Sequence, residues 1–219
     1  MSKKLLLASF FTLGTFGLGF SDQNQPVKAY SDYIPLAANH EKNNYENFDG
    51  VTCAVIVLNS LELQTEEATS LGDKTIYTQE NIFNGQVSSI VDAQTVKKRG
   101  IAIEELTQIF PAYGLKAQAK YPHIMTNDAL KEVVVTTLKD PMKMMIVQYD
   151  ASLLTYQQKV SYAVVADYDA KTDSILLLNP DDTNKAKMWV KTQDLLKSMQ
   201  SLDENHTPRG YIIVEKPVD

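Results

Sequence analysis

The sequence predicts a single α+β domain in which a helical N-terminal part packs on a C-terminal antiparallel sheet. The first observation is size: the 219 residues suffice for one domain with a sizeable core, and no linker rich in Gly, Pro or Ser divides them. The second is composition, since 44% hydrophobic and 22% charged residues are typical of a folded globular chain. The third is order, because helical patterns come first and strand patterns follow, as in α+β domains.

The helical part begins with a dense apolar run at residues 49–61. Apolar residues on all sides of this run predict a buried helix. Asp49 is predicted to cap its N-terminus, where a carboxylate also suits the positive end of the helix dipole. Amphipathic patterns predict three further helices, at residues 101–113, 127–138 and 192–201.

Strand patterns dominate the C-terminal half. Residues 115–121 alternate apolar and polar positions, as a half-buried strand does. Apolar or β-branched runs with turn residues between them predict the rest of the sheet, at residues 142–149, 160–168, 174–178, 187–190 and 210–214.

The N-terminus is typical of a secretory signal peptide. Lys3 and Lys4 precede a mostly apolar stretch at residues 5–20, which is shorter than a membrane-spanning helix needs. Gly19 and Ser21 fit a cleavage site after Ser21, and Val27-Lys28-Ala29 is a second candidate site. An uncleaved anchor is the alternative. We therefore expect a periplasmic or secreted protein, with a signal peptide at residues 1–21, an irregular arm at 22–42 and one domain at 43–219.

Charge and metal-ligating residues exclude several classes of function. With 27 acidic and 21 basic residues the net charge is −6, which argues against nucleic acid and an anionic membrane surface as partners, because both need clustered Lys and Arg. The single Cys53 excludes an intramolecular disulfide and a cysteine-based metal site. The three histidines, His40, His123 and His206, share no close spacing, so we predict no metal and no cofactor.

Several short motifs, taken in order, resemble the phytochelatin synthase family in its short bacterial form. The likeness runs from about residue 43 to 216. It rests on residues 49–61, 77–83, 98–101 leading into Glu105 and Leu106, 113–116, 168–169, 171–173, 189–192 and the pair Arg209-Gly210. The resemblance implies a papain-like α+β fold and a cysteine transferase or peptidase activity.

The family's mechanism implies a Cys-His-Asp triad acting on glutathione. A thiolate at the N-terminus of the buried helix attacks the Cys–Gly bond and releases glycine. The γ-glutamylcysteinyl acyl group then passes to a second glutathione or to water, with a histidine as base and an aspartate orienting it.

The resemblance places a different residue at every one of these positions. Asp49 stands where the family has its nucleophilic cysteine, Ser161 at the histidine and Asn179 at the aspartate. Asn43, six residues before Asp49, stands at the family's oxyanion glutamine. Four substitutions at functional positions, within a sequence that otherwise matches the family, predict a catalytically inactive member, or pseudoenzyme.

Alternatives come from other classes of function. An active glutathione hydrolase or transferase would need a displaced nucleophile such as Cys53, whose thiol we expect to be inert inside a buried helix. The three histidines are expected in solvated loops, and Ser161 is expected as a small residue of a strand. A non-catalytic protein-binding role is the third reading. The partners considered are glutathione or another γ-glutamyl peptide, a second copy in a homodimer, or another protein.

Overall fold

The protein was analysed as a computed structural model that describes residues 30–31, 33–61, 69–71, 74–154, 160–180, 186–202, 206–207 and 209–217. The predicted signal peptide at residues 1–21 lies outside these residues.

Seven α-helices are present in the described part of the chain. They are α1 (Tyr33–Ala38), α2 (Asp49–Ser60), α3 (Gly85–Ile90), α4 (Ala93–Arg99), α5 (Ile103–Ile109), α6 (Asn127–Leu138) and α7 (Thr192–Gln200). A 3₁₀ turn, Phe110–Tyr113, continues α5 and ends at Gly114, whose φ of 75° is the left-handed conformation that glycine adopts at little cost. None of these helices is long and apolar enough to cross a membrane.

One antiparallel sheet carries most of the strands. The strands are β1 (Tyr30–Ser31), β2 (Thr69–Leu71), β3 (Lys74–Ile76), β4 (Lys116–Lys120), β5 (Lys143–Asp150), β6 (Val160–Asp169), β7 (Ser174–Leu178), β8 (Lys187–Lys191) and β9 (Tyr211–Glu215). The large sheet has the order β4-β9-β5-β6-β7-β8, and β1 pairs with β6, while β2 and β3 form a separate hairpin. The predicted α+β class is confirmed.

The large sheet separates two hydrophobic cores. Because side chains alternate along a strand, Tyr162 and Val164 of β6 face the core that contains α2, whereas Ala163 and Val165 face the core beneath α6 and α7. Helix α2 is buried on every side except at Asn59, as its uniformly apolar sequence predicts.

Two sequence predictions are corrected here. Asp49 is the first residue of α2 and not its cap; Phe48 occupies the cap position and accepts the Thr52 N–H through its carbonyl at 2.7 Å. The segment expected to be an irregular arm contains α1. Both α3 and α4 were missed, although Asn84 and Asp92 cap them through side-chain oxygens.

Candidate functional site

Asp49 joins the start of α2 to the start of β6. Its carboxylate oxygen Oδ2 accepts a hydrogen bond of 2.7 Å from the backbone N–H of Tyr162, and the residue is only 6% exposed. A hydrogen bond to a buried charged acceptor is among the stronger ones in proteins. The carboxylate therefore ties helix to sheet at a point where two distant parts of the chain meet.

The end of β7 explains why the Tyr162 N–H needs such a partner. Gln148, which lies opposite Tyr162 on β5, donates its own N–H to Gly210 on the other side at 2.8 Å. In an antiparallel ladder this makes Gln148 and Tyr162 a non-hydrogen-bonded pair, so the Tyr162 N–H points away from β5 towards β7. The last register pair between β6 and β7 is Val164 with Leu178, so the ladder stops short of Tyr162. The Asp49 carboxylate supplies the acceptor that a longer β7 would have provided.

The Tyr162 side chain completes the junction. Its hydroxyl donates to the Ile101 carbonyl at 2.9 Å and accepts from the Gln148 amide at 2.7 Å. Its ring lies over Gly50, where an added Cβ would come within 3.1 Å of the ring and 2.6 Å of the Ile101 side chain. Glycine at this position is thus needed for close packing of α2 against β6.

Ser161 precedes Tyr162 in β6 and is completely buried. Its hydroxyl oxygen has no hydrogen-bond partner in the part of the chain that the structure describes. A serine hydroxyl has no imidazole-like basicity at neutral pH, so this position supplies no general base. Asp49 bonds to the backbone N–H of the residue that follows Ser161, but side chains alternate along β6, so the Ser161 side chain lies on the opposite face of the sheet from Tyr162 and α2.

Asn179 and Asn43 meet at the same end of β6 and β7. Asn179 directly follows β7 and is buried, and the Asn43 N–H donates to the carbonyl of the next residue, Pro180, at 3.0 Å. His40 also reaches this point: its Nε2 lies 3.2 Å from the Asn179 carbonyl oxygen. The expectation of a solvated loop histidine is therefore wrong for His40, because a tertiary contact over 139 residues holds it partly buried.

The other two histidines lie elsewhere. His123 is exposed and stacks on Tyr121, with ring centroids 6.3 Å apart, and His206 is exposed.

Cys53 lies one turn further along α2 and has no exposed surface. Burial raises the pKa of its thiol well above the usual value of 9.0, and the negative charge of Asp49 raises it further. The thiolate, which is the nucleophilic form, is strongly disfavoured at this position.

A small polar pocket of about 80 Å³ opens beside this junction. Arg209 lines it and is buried; its Nη1 donates to the Ser201 hydroxyl at 2.9 Å, and its Nη2 lies 3.7 Å from the Asp150 carboxylate. The buried Arg209 Nε has no partner among the described residues. Glu104 and Gln148 also line the pocket. The sequence patterns marked Arg209 only as part of a motif. Its position directly before a glycine and a buried strand was the signal that could have indicated a buried arginine.

Metal-ligating side chains do not assemble here. Within the described ranges, no three side chains of His, Cys, Asp or Glu come together in a way that could hold a metal ion.

The site and fold together define a class of protein. Seven helices and one large antiparallel sheet, with the buried helix α2 starting where β7 stops short of the first residues of β6, make this an α+β domain within the described residues. The chain belongs to the phytochelatin synthase family, whose model, described as phytochelatin synthase, matches residues 20–211.

Solved structures with some likeness are peptidase domains. A double glycine motif protease from an AMS/PCAT transporter, solved in complex with the leader peptide, is 12% identical with a TM-score of 0.48, and the match covers 82% of this chain and 91% of the other. The N-terminal peptidase C39-like domain of the toxin secretion ATP-binding protein from Vibrio parahaemolyticus is 11% identical with a TM-score of 0.33, covering 59% and 82%. None of the curated proteins is significantly similar in sequence.

Proposed function

We propose that this protein is a catalytically silent member of the phytochelatin synthase family that binds a γ-glutamyl peptide such as glutathione. One observation carries the loss of catalysis: the residue at the proposed nucleophile position, Asp49, is buried and bonded to the Tyr162 N–H.

Each substitution removes a separate part of the triad's chemistry. A carboxylate is a poor nucleophile towards an amide, and Oδ2 of Asp49 is already engaged. Ser161 supplies no base, so no imidazole stands at the position that the family's aspartate orients. Loss of a whole triad leaves only the smaller contribution of binding and the oxyanion hole, roughly 10³–10⁴-fold over water.

A displaced nucleophile is disfavoured by the surroundings of Cys53. Its thiol has no exposed surface, and its pKa is raised by burial and by Asp49. Attack on glutathione would require both access and the thiolate form.

The pocket beside Arg209 supports retained binding. A buried guanidinium whose Nε–H has no partner among the described residues is suited to a carboxylate, which accepts such donors in its own plane. The volume of about 80 Å³ fits one carboxylate group rather than a whole tripeptide.

Export is part of the proposal and rests on the N-terminal residues alone. Lys3, Lys4 and the apolar stretch at 5–20 favour a periplasmic or secreted protein cleaved near Ser21. N-terminal sequencing of protein recovered from the periplasm tests this, and full-length protein recovered from the cytoplasm would contradict it.

Glycine release from glutathione tests the loss of catalysis. The unmodified protein should release no glycine above background, with or without cadmium. Asp49→Cys alone should add little, because the new thiol has no base. The combination with Ser161→His and Asn179→Asp should exceed the sum of the single changes, since triad members act as a unit. Steady release by the unmodified protein, abolished by Cys53→Ala, would establish a displaced nucleophile instead.

Binding is tested separately by calorimetric titration with glutathione. Arg209→Lys should weaken binding, because an ammonium cannot replace the planar guanidinium, whereas Arg99→Lys on the exposed end of α4 should not. Equal affinities for the two variants would refute the role of the Arg209 pocket and leave the catalytic conclusion untouched.

A further inference from the structure

A second and larger pocket, of about 360 Å³, lies at the opposite end of α2 from Asp49. Asn59 lines it, ten residues along the helix from Asp49, which corresponds to about 15 Å of helix rise. Its size falls within the range of small-molecule sites. It shares His40 with the surroundings of Asn179.

The walls of this pocket are held in place before any ligand arrives. The Asn59 side chain pairs with both backbone groups of Tyr77, accepting from its N–H at 2.8 Å and donating to its carbonyl at 3.0 Å. The buried Gln79 donates to the Glu41 carboxylate at 3.0 Å and to the Lys42 carbonyl at 2.8 Å, and it accepts from the Asn44 N–H at 2.9 Å. Preorganised walls of this kind reduce the entropy that binding costs.

The polar groups that line the pocket are mainly acceptors. A carbonyl oxygen only accepts, so the contact of His40 Nε2 with the Asn179 carbonyl puts the proton of the neutral ring on Nε2 and leaves Nδ1 as an acceptor. The Glu41 carboxylate can accept about four hydrogen bonds in all, and Gln79 supplies one. The Thr78 hydroxyl oxygen already accepts from the N–H groups of Glu80 and Asn81, so Thr78 is not counted among these acceptors.

The charge around the pocket is negative. Glu80 lies close enough that its charge, after burial, is a further cause of the raised pKa of Glu41. Burial disfavours the ionised form of a half-buried carboxylate, and a cation placed beside it stabilises that form. Ala38 and Ile76 add apolar surface between these polar groups.

We propose that this pocket binds an alkylammonium group, with Glu41 and His40 Nδ1 accepting from the ammonium and Ile76 and Ala38 covering its alkyl stem. Such a group occurs in free aliphatic diamines and in the lysine side chain of a peptide. Both sources present the same three donors on a flexible hydrocarbon chain.

Titration of the folded protein with 1,4-diaminobutane, followed by amide chemical shifts, tests the proposal. The amide signals of residues around the pocket should shift in a saturable way, and 1-butanol, which has the stem without the charge, should leave them unchanged. Glu41→Gln should weaken diamine binding by about tenfold or more, because a charged acceptor becomes neutral. Glu132→Gln, on the exposed face of α6, is the matched control and should bind as the parent does.

A second variant guards against misfolding of the first. Ala38→Leu fills the rim of the pocket without altering the bonds of Glu41, and it should also weaken binding. A capped peptide with one internal lysine, titrated in parallel, distinguishes the sources: tighter binding of the peptide assigns the site to a lysine side chain, and tighter binding of the diamine to a free amine. No saturable shifts with either amine, or equal binding by Glu41→Gln and Glu132→Gln, would overturn the proposal.

Discussion

The carboxylate of Asp49 lies 2.7 Å from the backbone nitrogen of Tyr162, 113 residues further along the chain. Strand β7 ends before it reaches the first residues of β6, so the Tyr162 N–H has no partner in β7, and Asp49 accepts it instead. The bond thereby anchors the N-terminus of α2 to the sheet. At the position proposed for the nucleophile, the protein thus has a carboxylate with a structural role, because it links α2 to β6. This explains how the domain keeps its architecture with a carboxylate at that place.

The first prediction concerns the energy of this tie. Asp49→Ala should lower the free energy of unfolding by about 1–3 kcal/mol, because the buried Tyr162 N–H loses its acceptor. Asp49→Asn should cost less, since its amide oxygen can still accept. Urea unfolding measures both, with Glu46→Ala, an exposed acidic residue three positions earlier, as the control. Asp49→Ala with the parent's stability would show that the bond contributes nothing.

The second prediction contrasts two glycines at helix starts. Gly50→Ala gains about 1 kcal/mol of helix propensity but places a Cβ 2.6 Å from the Ile101 side chain, and overpacking costs about 1–3 kcal/mol. We expect net destabilisation. Gly85→Ala, at the first residue of α3, would place its Cβ more than 4 Å from every described atom beyond its chain neighbours and its own helix backbone, and it should be neutral or stabilising. Thermal unfolding compares the two variants. A stabilising Gly50→Ala would mean that the side chains of Ile101 and Tyr162 can shift away from the new methyl group at little cost in energy.

The third prediction concerns the reactivity of Cys53. The folded protein should resist iodoacetamide at neutral pH, because the thiol has no exposed surface and its pKa is raised well above 9.0. Modification should become complete once urea unfolds the chain. Mass spectrometry measures the extent, and rapid stoichiometric alkylation of the native protein would contradict the burial of this thiol.

The fourth prediction follows stability with pH. Burial raises the pKa of Glu41 above 4.5, so its ionisation costs stability as the pH rises from 4.5 through the folded value. Glu41→Gln should therefore be more favourable relative to the parent at pH 7 than at pH 4.

Glu105 provides a control of opposite sign. Its hydrogen bonds with Arg99 lower its pKa, so its contribution is present above 4.5 and is lost as the pH falls through the folded value. Glu105→Gln should then be less favourable at pH 7 than at pH 4. Denaturant unfolding at the two pH values measures both variants, and the same sign for both would contradict the assigned causes.

Local sequence patterns were sufficient to predict most of the helices and strands. The helix predicted at residues 127–138 and the strand predicted at 174–178 have those bounds in the structure. Thr126 caps the helix, accepting from the Ala129 N–H at 3.2 Å, and turn residues bound the strand. These signals act over a few residues, so they can be recognised without the fold.

Short elements were harder to predict. Helices α3 and α4 have only six and seven residues, too few to display an amphipathic period. Their caps were nevertheless in the sequence: Asn84 and Asp92 start them, and Gly100, with a φ of 75°, ends the second.

By itself the sequence determined the α+β class, the buried helix and the family to which the chain belongs. Only the tertiary structure decided which groups the polar residues of the site contact. Asp49 was predicted to bond to its own helix, and the structure directs it to Tyr162 because β7 ends too early to pair there. His40 was predicted in solvent, and it meets the Asn179 carbonyl instead. A hydrogen bond between residues more than 100 positions apart depends on where two elements end in space, and no local pattern records that position.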